Sequence, residues 1–141
     1  MRYASFLLLA LTLVPALRAQ NVSVPGSYVT YPVISEIKVG DKPTKTVLTG
    51  TAMRSKLIVN VYAIGSYVEE GAGIRTAADL LTCDKIKRLH LVMERNVSGS
   101  DFAEAFRAAV RMNYNPPMFQ EEIDSLVAYM KTTSLRKGDN I

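Results

Sequence analysis

Cysteine and histidine are almost missing from this sequence: its 141 residues include one of each, Cys83 and His90. A lone cysteine closes no internal disulfide, so the fold must be held by packing. One histidine without a cysteine cluster excludes the common transition-metal centres. The chain also lacks a P-loop, a dinucleotide-binding glycine fingerprint and a G-x-S-x-G elbow, so no cofactor is implied. Beyond the N-terminus, no apolar run approaches the roughly 20 residues that a membrane-crossing helix needs. The formal charge of +4 loses two with Arg2 and Arg18, and the remaining Lys and Arg are scattered. No nucleic-acid partner is therefore expected.

What is present begins with an export signal. Arg2 supplies the positive start, Ala4 to Val14 is uncharged and apolar, and Pro15-Ala16-Leu17-Arg18-Ala19 is a breaker followed by small residues. The pattern predicts a removable leader over residues 1–19 and a domain over 20–141, placed in the periplasm or outside the cell. At 48% hydrophobic residues the chain has the material for one core.

Short extended pieces follow, broken by Pro25-Gly26, Pro32 and Gly40-Asp41-Lys42-Pro43. Thr44–Leu48 reads as a strand ended by Gly50. Lys56–Val68 reads as the strongest strand, apolar on both faces, with Gly65 a bulge or close-approach point. Its period of two places Ile58, Asn60, Tyr62 and Ile64 on one face, which Arg54 shares if the strand runs back unbroken.

Thr76-Ala77-Ala78-Asp79 fits a capping box opening a short helix, and Cys83 near its end reads as a small apolar side chain, a free thiol or an intermolecular bridge. Arg88–Glu94 is a strand with Leu89, Leu91 and Met93 on one face, so His90 reads as a half-buried strand residue on the other. Ser98-Gly99-Ser100 caps a helix to about Met112, with Phe102, Phe106, Ala109 and Val110 as its apolar stripe. Asn115-Pro116-Pro117 starts a third helix with proline in its first turn. Phe119, Ile123, Leu126, Val127 and Met130 make one face of it. Lys137-Gly138-Asp139 reads as a turn into another strand, which implies a chain cut short at its C-terminus.

For chemistry, the residues leave Arg54 and Tyr62. A guanidinium fork grips a carboxylate in two places, and a phenol on the same face adds a hydrogen bond. The same pair also fits a surface ion pair beside a core-edge tyrosine.

Leu48-Thr49-Gly50-Thr51-Ala52-Met53-Arg54-Ser55-Lys56, followed by Val61-Tyr62-Ala63-Ile64-Gly65-Ser66-Tyr67-Val68-Glu69, resembles the chalcone isomerase family, more closely its bacterial exported branch. The Gly-x-x-x-Arg and Ala-Ile-Gly-x-Tyr elements occur together and in order. The likeness continues through Thr76, Arg88, Asn96-Val97-Ser98-Gly99 and Leu135-Arg136-Lys137-Gly138-Asp139, covering about Val24 to Ile141.

The resemblance implies an α+β fold, an open-faced β-sandwich in which a large, mainly antiparallel sheet carries helices on one face, with a ligand cleft between them. It puts Arg54 at the family's cleft arginine, and Tyr62 where isomerases carry threonine and fatty-acid binders tyrosine. Phe102 falls at the isomerases' catalytic tyrosine and Ala109 at a substrate-binding asparagine, while their C-terminal threonine would lie beyond Ile141. The implied function is non-catalytic binding of a fatty acid or similar amphipathic carboxylate, with ligand contacts from Arg54, Tyr62, Asn60, Phe102 and Phe106. The alternative is an intramolecular lyase of the chalcone isomerase type.

Overall fold

Strand-forming residues dominate the first two thirds of the chain, and there the chain folds back on itself repeatedly. The computed structural model describes residues 20–141; the expected leader, residues 1–19, lies outside the described residues. β1 (Asn21–Ser23) and β2 (Thr30–Pro32) pair as a small hairpin around the Pro25-Gly26 turn. β3 (Ile34–Val39), β4 (Lys42–Lys56), β5 (Val59–Glu69) and β6 (Lys87–Met93) form one antiparallel sheet in chain order. α1 (Ala77–Thr82) sits in the β5–β6 connection, closed at its start by the Thr76–Asp79 capping box. β7 (Val97–Ser98), α2 (Gly99–Arg111), α3 (Gln120–Lys131) and β8 (Ser134–Leu135) follow, with β8 paired to β7. The last residues run antiparallel along β6: Leu91 and Ile141 exchange backbone hydrogen bonds of 2.9 and 3.0 Å. This is the α+β, open-faced architecture that the family resemblance implied. Among the described residues no helix is long and apolar enough to cross a membrane.

The two faces of the sheet differ. On one, Met53, Ala63 and Val92 stand side by side, as do Leu48 and Tyr67. The β1–β2 hairpin lays Val24, Val29 and Tyr31 against them, making the main core. Tyr31 is fully buried, edge-on to His90 at 5.3 Å. Burial first, then the nearby Tyr67, pushes the Tyr31 phenol up to about 12. The opposite face carries Ala52, Ile64 and Leu91, then Gly50, Ser66 and Leu89. Leu89 is 62% exposed there. A second core joins α2 to α3 through Ala103, Ile123 and Val127, with Val110 and Met130. Arg107 bridges the helices to Asp124 at 2.9 Å and Lys131 to Glu104 at 3.0 Å. These exposed pairs orient more than they stabilise.

Four local readings change. Lys56–Val68 is not one strand, because Leu57 and Ile58 form a two-residue turn between β4 and β5. Their aliphatic character, β-branched at Ile58, imitates a strand, and the glycine or asparagine that usually marks such a turn is missing. Gly50 does not end β4; the register shift beside it makes Thr49 an extra residue in the ladder. Pro116 and Pro117 lie in a turn upstream of α3, and Phe119, at φ 54°, stands just before the helix. Leu126 and Ala109 are exposed, while Ala103, not part of the expected stripe, is fully buried against α3.

Two glycines are required by close approach. A Cβ on Gly65 would lie 2.9 Å from the Tyr31 ring, and one on Gly99 would lie 2.0 Å from the Thr133 carbonyl oxygen. The Gly65 clash displaces a buried ring by a few tenths of an ångström; the backbone that ends α3 cannot yield without moving the helix. Gly99→Ala is therefore expected to cost about 3 kcal/mol or more and Gly65→Ala about 1–2 kcal/mol. Urea unfolding of the two variants measures this, and the reverse order would contradict the packing described.

Candidate functional site

The site is built by the β4–β5 ladder. Arg54 of β4 and Tyr62 of β5 are direct cross-strand partners, so their side chains leave the sheet on the same face. They share it because the chain reverses at Leu57-Ile58, not because one strand runs on from Arg54 to Tyr62. Between this pair and the next, Ser55 opposite Asn60, Val61 is an extra residue. That bulge flips the alternation, so Asn60 does not share the face of Tyr62 and Ile64.

Asn60 instead serves the fold. Its Nδ2 donates to the Gly26 carbonyl at 2.9 Å, and its Oδ1 accepts from the Ser55 hydroxyl at 3.0 Å. One end of its amide ties the β4–β5 tip to the N-terminal hairpin, and the other bridges across the tip to Ser55 of β4. The structure thus brings Arg54 and Tyr62 together and takes Asn60 away from them.

Arg54 is exposed, and among the described residues it makes no ion pair and no side-chain hydrogen bond. Tyr62 is half-buried, flanked across β6 by the fully buried Met93. Phe102, on the first turns of α2, meets the Tyr62 ring edge-on at 6.5 Å. This contact is where the helical pair reaches the open face of the sheet. Phe106 lies half-buried one turn further along α2.

Sequence reasoning missed the apolar strip that leads away from this pair. Ala52, Ile64 and Leu91 stand beside one another on the Arg54–Tyr62 face, followed by Gly50, Ser66 and Leu89. The strip ends at a cavity of about 660 Å³ between Val47, Ser66 and Val68 of the sheet and the Gly71–Ala77 loop with Leu80. From Tyr62 to Val68 along β5 is roughly 20 Å at about 3.3 Å per residue. The alternation of Tyr62 with Ile64 and of Leu89 with Leu91 signals each half of the strip; only the pairing register joins them.

A cationic, hydrogen-bonding end followed by a long apolar floor can hold an anionic head and an aliphatic tail. Among the described residues no cluster of three metal-ligating side chains occurs. A family model described as chalcone isomerase-like matches residues 30–141. The chain belongs to the chalcone isomerase-like family. No curated protein matches the chain closely. Within a chalcone isomerase-like domain, the open sheet face and the α2–α3 pair bound the region where the resemblance expects the ligand cleft. Position 102 there carries a phenyl ring edge-on to Tyr62, not a hydroxyl.

The two polar residues near the tip separate cleanly by role. Asn60→Ala is expected to lower stability by about 1 kcal/mol, since it orphans the Gly26 carbonyl and the Ser55 hydroxyl. Arg54→Ala should change stability by less than about 0.5 kcal/mol. Denaturant midpoints of both variants test this, and equal losses would contradict the geometry.

Proposed function

We propose that this chalcone isomerase-like domain is an exported, non-catalytic binder of a fatty acid or similar amphipathic carboxylate. The observation that carries the reading is Arg54: an exposed guanidinium, unpartnered among the described residues, fixed by strand register beside the Tyr62 phenol. Surface arginines usually find an acid or lie along the surface; this one heads an apolar strip with a cavity at its far end. The carboxylate would take the Arg54 fork and the Tyr62 hydroxyl, and the tail would lie over Ala52, Ile64 and Leu91. Phe102 and Phe106 would form the wall on the helix side. The export part of the reading rests on residues 1–19.

A catalytic reading has no observation in its favour. Cyclisation of a chalcone needs a group that holds water or polarises the carbonyl, and a phenyl ring at position 102 does neither.

The test is displacement of a fluorescent fatty acid from the purified chain, with lipid extraction to identify what co-purifies. Arg54→Ala is expected to weaken binding by roughly tenfold or more, the scale of a lost charge-assisted hydrogen-bond pair, and Tyr62→Phe by a few-fold. Unchanged affinity in Arg54→Ala, with no acyl ligand in the wild type, would overturn the proposal.

A further inference from the structure

The tip of the β4–β5 hairpin is apolar and bare. Leu57 and Ile58 are 95% and 97% exposed, and Val59 beside them is 46% exposed. Turn tips are normally polar, and scattered single apolar residues need no explanation; three in succession on a projecting turn do. Leu57 also holds φ 57°. In a two-residue hairpin that position favours glycine, so the leucine is kept against its backbone preference.

The surroundings of the tip are cationic. Arg54 and Lys56 flank it on β4, both exposed. Three backbone-anchored contacts bring other segments to the same end: Asn60 to Gly26 at 2.9 Å, Glu94 N–H to the Val61 carbonyl at 2.9 Å, and Lys137 N–H to Asn96 Oδ1 at 2.9 Å. They carry exposed Arg95, Arg136 and Lys137, with the Lys137 ammonium 5.2 Å from the centre of the Tyr28 ring. Tyr28 itself is 60% exposed. Glu94, which accepts the Ser27 hydroxyl, and Asp139, which accepts the Arg136 N–H at 2.7 Å, share this end and are outnumbered by its cations.

We propose that this end of the molecule is a membrane-docking surface, in which Leu57 and Ile58 insert into the interfacial region of an anionic bilayer. Five cations, Arg54, Lys56, Arg95, Arg136 and Lys137, meet its head groups. A convex apolar tip has no groove in which to seat a peptide. It fits a deformable apolar phase, and the ring of cations fits a negative lipid surface. Tyr28 suits the head-group layer, where aromatic residues with a polar end collect. The docked hairpin would hold the Arg54–Tyr62 pair only a few residues from the lipid. The docking itself does not depend on what that pair binds.

The test is flotation of the purified chain with phosphatidylglycerol-containing vesicles and with pure phosphatidylcholine vesicles. Wild type and a Leu57→Ser/Ile58→Ser double variant share the same N-terminus, so the difference between them reads the tip alone. Wild type is expected to bind the anionic vesicles, more weakly at raised salt. The double variant should lose roughly tenfold or more in affinity, as two aliphatic side chains no longer leave water. Both side chains are almost fully exposed, so the variant should keep its unfolding midpoint and its fluorescent fatty-acid displacement curve. Equal vesicle binding by wild type and variant, or none by either, would overturn the proposal. So would tip-dependent self-association without vesicle binding, which would assign the patch to a second copy of the chain. Weakened fatty-acid displacement in Tyr62→Phe with vesicle binding unchanged would separate the two readings.

Discussion

The ladder between β4 and β5 is the interaction on which the rest of the structure depends. It is the longest pairing in the sheet, and it contains two register shifts, at Thr49 and at Val61. Each adds one residue to one strand and so reverses which residues face which way. The shift at Thr49 lets Leu48 point into the main core while Gly50 faces the open side; the Thr49 hydroxyl, bonded to Ser66 at 3.0 and 2.8 Å, holds it. The shift at Val61 lets Asn60 bind the N-terminal hairpin while Tyr62 stands with Arg54. A ladder without these two residues would put either the core or the site on the wrong face.

From this follows an asymmetric sheet. One face is closed by the β1–β2 hairpin, whose Tyr31 fits only because residue 65 has no side chain. The other is met by α2 through the Tyr62–Phe102 edge contact and is otherwise a half-exposed apolar floor. Closing one face and leaving the other open is what converts a small antiparallel sheet into a surface able to hold a ligand. The α2–α3 pair has its own small core, is tied together by the Gly99 contact with the end of α3, and meets the sheet where Phe102 faces Tyr62.

Much of this was legible in the chain. An apolar run marked β5, alternation marked β6, Thr76–Asp79 marked α1, Ser98 marked the start of α2, and the Arg54 and Tyr62 elements pointed to one family. What the sequence hid has a common physical cause. Strand period says which residues alternate but not where an extra residue breaks the alternation, so the pattern alone puts Asn60 on the wrong face. An aliphatic turn at Leu57-Ile58 carries none of the usual turn chemistry, so it read as strand. Burial of Ala103 depends on where α3 lies, and no pattern within α2 alone contains that. The Gly50 break and the proline start of α3 were propensity arguments that tertiary pairing and turn placement overrode.

On the proposed reading, strand register makes Arg54 and Tyr62 a single carboxylate-binding unit. The most direct measurement is an NMR titration of the isotope-labelled chain with a fatty acid, following the Arg54 Nε–H and the Tyr62 ring together. Both signals are expected to move in parallel with one saturation curve, accompanied by Ile64 and Leu91, while Asn60 stays still. Saturable binding that leaves Arg54 and Tyr62 unmoved would contradict it.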